Sequence, residues 1–202
     1  MPENGIGRVL VASIHQGIAD ILPSRLAFYE NWLNTEGLRD GTIGLAPFSA
    51  VLSFLRQEGP AYELITGRAG HYAAEWTVAS MSPIGRRVIM AAPAWLRRRF
   101  LLRLARQLVH DTYGGSRAVT RVRQGTARVD LRASVFCTVR DPVAHPLCGF
   151  YAAAFTRVLG LFDLPAKAAV IACRGTGEPT CVVAIPLASA VPVSEENGHP
   201  PS

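Results

Sequence analysis

The stretch CGFYAAAFTRVLGLFDLPAKAAVIACRGTGEPTCVVAI, residues 148–185, decides the architecture. Over its opening residues Cys148, Tyr151, Ala152, Phe155, Val158, Leu159 and Phe162 recur at helical spacing, which predicts a helix over about 147–162 with a cysteine at the head of its buried stripe. Further along, β-type runs at 168–173 and 180–185 flank Gly175, Thr176 and Gly177, which predicts a hairpin. With the turn near Gly177, Cys173 faces Cys181. A helix that starts at one thiol and leads into a hairpin carrying two more brings Cys148, Cys173 and Cys181 toward one point.

Upstream, Ala118, Thr120 and Val122 alternate with Val119, Arg121 and Arg123, and Ala127, Val129, Leu131, Ala133 and Val135 alternate with Arg128, Asp130, Arg132 and Ser134. Gln124 and Gly125 suit a tight connection between these strands. The implied register sets Arg121 opposite Arg128, a like-charged pair that is mildly unfavourable unless Asp130 or a ligand offsets it.

Before Gly114 and Gly115 the period is helical. Leu10, Ile14, Ile18 and Ile21 form a stripe that stops before Pro23; Ser24 is placed to cap a second helix to about Glu36, where Gly37 supplies a stop. Pro47 suits a first helical turn, followed by Val51, Leu52, Phe54 and Leu55 up to Gly59. A longer helix over 62–80 tolerates Gly67 and Gly70, and its small residues Thr66, Gly67, Gly70, Ala73 and Ala74 invite close approach by another backbone. Ser82, Pro83 and Gly85 read as a break, and Pro93 opens a helix to about His110. Helices first and strands later predict an α+β fold, N-terminal helices packed on a C-terminal antiparallel sheet. The expected organisation is a helical segment at 1–60 within the same globule, a main domain at 61–187 and a frayed tail at 188–202.

With 202 residues, 49% hydrophobic and 18% charged, most of the chain has the composition of a packed globule and not of a disordered one. No apolar run is long enough to span a bilayer and the start MPENGIGR lacks the pattern of a secretion signal, so a cytoplasmic location is expected. In a reducing compartment four cysteines read as thiols or metal ligands before disulfides. The net charge of +6 is mostly arginine, concentrated in 96–106 and 121–132. Such faces attract nucleic acid, anionic lipid or acidic ligands, although solvated basic surfaces are the commoner case.

His71 and Glu75 stand at i, i+4 with Tyr72 and Trp76 beside them, a pattern that suits either an acid/base pair at a pocket or a weak surface contact. No GxSxG, P-loop or dinucleotide fingerprint occurs, and no motif supplies a hydride donor. Binding is therefore favoured over catalysis. No helix-turn-helix remains once the elements are assigned, so the expected partner is a small molecule and not nucleic acid.

The motifs HDTYGGSR (110–117), CGFYAAAFTRVL (148–159) and ACRGTGEPTC (172–181), with GRAGHYAAEW (67–76) before them, resemble the 4-vinyl reductase domain family, including its bacteriochlorophyll biosynthesis members, over about 66–185. The resemblance implies a fold similar to transport protein particle subunits and haem nitric-oxide-binding domains, with homodimers formed through helices. It implies a hydrophobic small molecule or a tetrapyrrole as ligand, near His71, Trp76, His110, Tyr113, Tyr151 and Phe155. Two alternatives accompany that reading, a tetrapyrrole vinyl-group reductase or its accessory, and a dimeric interaction scaffold. In relatives that sense phenols, three cysteines matching Cys148, Cys173 and Cys181 join a glutamate in a structural zinc site. Here Val170 stands where that glutamate is expected, so a fourth donor has to come from Cys137, His145 or Glu178. Metal binding, buried thiols and an oxidisable cross-strand pair all remain open at this level.

Overall fold

A computed structural model describes residues 5–33 and 43–187. The expected helix stop near Gly37 and the expected tail at 188–202 fall outside these residues. Seven helices are described: α1 (Arg8–Ile21), α2 (Leu26–Leu33), α3 (Leu45–Gln57), α4 (Pro60–Ala79), α5 (Pro83–Ala91), α6 (Ala94–Thr112) and α7 (Gly149–Gly160). The short strands β1 (Gly5–Ile6) and β2 (Ile43–Gly44) pair with each other. The remaining strands, β3 (Arg117–Arg123), β4 (Thr126–Arg132), β5 (Ala169–Ala172) and β6 (Cys181–Pro186), form an antiparallel sheet in the order β3-β4-β6-β5. The fold is α+β, as the change of period at Gly114 and Gly115 implies.

Sheet register follows the pleat. Ala127, Val129 and Leu131 of β4 and Cys181, Val183 and Ile185 of β6 are buried on the helix side, while Arg128 and Arg132 are exposed on the other. Arg121 does pair with Arg128, and Arg117 pairs with Arg132, so two like-charged pairs share the outer face. Gln124 (φ 47°) and Gly125 (φ 71°) make the two-residue turn whose backbone twist matches the strands it joins.

The helical half is held by one continuous core. Leu10, Ile14 and Ile18 of α1, Tyr29 and Leu33 of α2 and Phe48, Val51 and Leu52 of α3 belong to the same apolar cluster as Phe150, Tyr151 and Phe155 of α7 and Val183 of β6. The described residues among the first sixty thus contribute to the same core. Helix α4 lies at the centre, packed against α1 and α7. A Cβ on Gly70 would fall 2.3 Å from the Phe150 carbonyl oxygen, and one on Gly17 of α1 would fall 2.8 Å from the Ile65 carbonyl oxygen. Gly67, in contrast, faces open space. The close approach expected of the small residues is made within the chain: Thr66, Ala69, Gly70, Ala73 and Ala74 are all buried.

Two expectations are corrected. Ser24 caps no α-helix; it sits inside a 3₁₀ turn, Pro23–Arg25, and α2 starts only at Leu26. Ser82, Pro83 and Gly85 do not break the structure but begin α5, with the Ser82 hydroxyl accepting from the Gly85 N–H at 3.1 Å and proline in the first helical turn. Proline there sacrifices only an amide that has no partner within the helix, so the residues read as a stop are a start.

The two glycines of α4 separate packing from propensity. G70A is expected to lower stability by about 1–3 kcal/mol through overpacking against α7, whereas G67A should leave stability unchanged or raise it by up to about 1 kcal/mol. Thermal melts of the two variants beside the parent check this; equal effects would contradict the packing of α4 on α7.

Candidate metal centre

Four sulfurs meet at the junction of the sheet and α7. The Sγ atoms of Cys137, Cys148, Cys173 and Cys181 all lie within 4.8 Å of one another, three of them buried and Cys137 half-buried. Cys137 lies 3.0 Å from Cys148 and 3.4 Å from both Cys173 and Cys181, and Cys173 lies 3.9 Å from Cys148. A tetrahedron of thiolates bonded to zinc at about 2.3 Å has sulfur–sulfur edges of about 3.8 Å; the Cys173–Cys148 spacing matches that edge and Cys137 sits closer to its neighbours, so the four sulfurs could hold one ion if Cys137 draws back.

Each sulfur arrives on a different piece of backbone. Cys137 closes a 3₁₀ turn, Val135–Cys137, just after β4. Cys148 is the residue before the first turn of α7, Cys173 directly follows β5, and Cys181 opens β6. The next rung beyond the Ala172↔Val182 pair brings Cys173 beside Cys181, as the hairpin reading requires. A 3₁₀ turn over Arg174–Thr176, ended by Gly177 at φ 93°, closes the hairpin. A Cβ at Gly175 would stand 2.8 Å from the Leu147 side chain, so glycine lets the hairpin tip seat against the loop that leads into Cys148.

Backbone amides serve the sulfurs. The Leu147 N–H donates to Cys173 Sγ at 3.3 Å and the Arg174 N–H to Cys181 Sγ at 3.3 Å, while the Ser134 hydroxyl lies 3.6 Å from Cys148 Sγ. Such donors favour thiolate over thiol. Contacts with Cys137 and then Cys148 hold the Cys173 thiol well below the ordinary range and lower that of Cys181. Cys148 is pushed far above it, first by its contact with Cys137 and then by Cys173, Cys181 and burial. Ionising all four together requires a cation in their midst.

Two side chains from the helical half brace the site. Arg56 of α3 donates to the Phe136 carbonyl at 3.1 Å, beside Cys137, and the buried Tyr62 hydroxyl of α4 donates to the Leu147 carbonyl at 3.1 Å, beside Cys148. Phe136 in turn stacks on Phe150 at 5.1 Å and meets Tyr151 edge-on.

The group placed to be a fourth donor is therefore Cys137, one of the three candidates the sequence offers. His145 and Glu178 are exposed and outside the sulfur cluster. Val170, where the resemblance puts a glutamate, pairs with Val183 inside the sheet. The sequence signal for Cys137 is its status as the remaining cysteine, directly after a predicted strand; no periodicity points it at the other three.

The residues expected near a ligand do not converge. Tyr151 and Phe155 are fully buried in the core, with the Tyr151 hydroxyl 3.2 Å from Thr112 Oγ1. Trp76 stacks on Tyr72 at the surface. Tyr113 bridges to Ile6 and its ring occupies the space a side chain at Gly115 would need. His110 lines an open basic cleft of about 550 Å³ with Arg103, Arg106 and Arg117. His71 lines a separate cleft of about 610 Å³ with Thr156, Arg157, Gly160, Pro165, Ala166 and Lys167. Glu75 is not paired with His71; it binds Arg157 of α7 at 2.7 Å. Burial and then the nearby Arg157 and Arg68 charges push His71 below its usual range, so its imidazole is neutral near pH 7.

The chain matches no family model and no curated protein significantly. The resemblance to the 4-vinyl reductase domain rests on the motifs quoted above.

Replacing the sulfur that sequence reasoning could not assign is the sharpest test of the cluster. C137S should lose bound metal as completely as C148S does, whereas H145A and E178A keep it, read by metal content after purification. Metal retained in C137S, or lost in H145A or E178A, would contradict the four-sulfur set.

Proposed function

We propose that this chain is a small-molecule-binding domain of the 4-vinyl reductase-like kind, clamped by a structural zinc ion and offering an apolar cleft to a hydrophobic ligand. The observation that carries the reading is the donor set itself: four cysteines and no other group. Soft thiolates select zinc over magnesium, calcium or manganese, and four protein sulfurs leave no coordination position for a substrate. When bound, the ion supplies cross-linking and no acid or nucleophile. It joins the end of β4, the head of α7 and both strands of the terminal hairpin, whose sulfurs lie up to 44 residues apart in sequence, and closing such loops is a large share of what a small metal site contributes to folding.

Ligand binding then falls to the cleft at the end of the α4–α7 seam. The seam itself is closed at Gly70, where α4 and α7 meet backbone to backbone; the space opens at the next residue, His71. Its volume of about 610 Å³ lies in the range used by drug-sized molecules. Gly160, Pro165 and Ala166 give apolar walls, and the neutral His71, Thr156, Arg157 and Lys167 give a few polar groups for orientation. The two cations suit a hydrophobic molecule that also carries an acid group, a class that includes carboxylated tetrapyrroles.

Gly160 provides a clean test because a side chain there meets no neighbouring atom. Anilinonaphthalene sulfonate, a hydrophobic anionic probe, should bind saturably to the zinc-loaded protein, and G160W should weaken it by roughly tenfold or more with zinc content unchanged. Undiminished binding in G160W, or none in the parent, would refute the cleft assignment, and purified protein without zinc would refute the clamp.

A further inference from the structure

Between Glu75 and Asp111 the chain has no acidic residue but carries Arg86, Arg87, Arg97, Arg98, Arg99, Arg103 and Arg106. In the same span α5 forms a nine-residue helix with no buried residue. Ile89 packs partly against the core and fixes which side faces inward. Ile84 and Val88, four residues apart and so on one face, are left 73% and 59% exposed. Trp95, in the first turn of α6, is 66% exposed and Met90 39%. A soluble surface rarely leaves two large aliphatic side chains and a tryptophan this open within so short a span.

Charge decides what covers this ridge. Arg87 and Arg99 are exposed beside it, Arg99 four residues from Trp95 and so on its face, whereas Arg86, two residues from both Ile84 and Val88, faces the other way; no carboxylate of the described residues lies within ion-pair distance of the three. A second copy of the chain laid on this face would bring arginine against arginine. An apolar ridge with tryptophan at one end and arginines along its sides is instead the composition of a helix that lies in the plane of a lipid interface, its aliphatic side chains among the acyl chains and its guanidinium groups at lipid phosphates. Among the described residues no helix is long and apolar enough to cross a membrane, so any attachment through this face is superficial.

We propose that α5 and the first turn of α6 form a docking surface for an anionic lipid bilayer, with Ile84, Val88 and Trp95 as the inserted residues and Arg87 and Arg99 as the contacts to lipid headgroups. The site is remote from the sulfur cluster and does not depend on the ligand cleft. It gives a domain that takes up hydrophobic molecules a means of reaching the phase in which they dissolve.

The test is cosedimentation of the full, metal-loaded chain with phosphatidylcholine vesicles, with and without phosphatidylserine. Binding is expected only with phosphatidylserine and should fall as salt rises. I84D/V88D should lower the partition coefficient roughly hundredfold or more, because two aliphatic side chains no longer enter the bilayer. R87E/R99E should lower it by at least about fivefold per position. All four positions are exposed, so melting temperatures should stay unchanged. Equal binding to neutral vesicles, no binding to either, or full binding by R87E/R99E would overturn the proposal. So would self-association that I84D/V88D removes while vesicle binding persists, because the ridge would then pair copies of the chain.

Discussion

Four sulfurs held within 4.8 Å of one another are the constraint around which the C-terminal half is arranged. Desolvated thiolates repel and neutral thiols gain little from such crowding, so a cation in place of their protons would favour the arrangement. The surrounding structure is organised to keep them there. Gly175 makes room for Leu147, the Leu147 and Arg174 amides point at sulfur, and Arg56 and Tyr62 reach from two other helices to the carbonyls next to Cys137 and Cys148. A change at the sulfurs is thereby felt in α3 and α4.

These contacts link the sulfur cluster to the rest of the molecule. Cys148 starts α7, α7 packs backbone to backbone on α4 at Gly70, and His71 stands one residue beyond that contact at the mouth of the large cleft. The sulfur cluster adjoins the head of the helix that forms one wall of the cleft, and the glycine contact fixes the other wall relative to it. Rigid walls are what a binding domain needs, since ordering them beforehand removes a cost from association.

Much of this is legible in the sequence, for identifiable reasons. Strands β3 and β4, the Gln124-Gly125 turn and the Arg121↔Arg128 pairing follow from strict alternation, and the meeting of Cys173 with Cys181 follows from hairpin register. The stripe from Cys148 to Phe162 identifies α7. Features that depend on packing are not legible in the same way. Cys137 sits in a 3₁₀ turn with no period of its own, so its direction is set by Phe136 stacking on Phe150. Tyr151 and Phe155 look the same on a helical stripe whether they line a hollow or fill a core, and they fill a core. Ser82 and Pro83 mislead because proline signals both the end of one helix and the start of the next, and only the hydroxyl contact to the Gly85 amide distinguishes them.

The central claim is that one metal ion sits among Cys137, Cys148, Cys173 and Cys181, and X-ray absorption at the zinc edge of the purified protein tests it most directly. A single shell of four sulfurs at about 2.3 Å is the predicted result. A shell containing nitrogen or oxygen donors, or protein without metal whose cysteines are joined as disulfides, would contradict it.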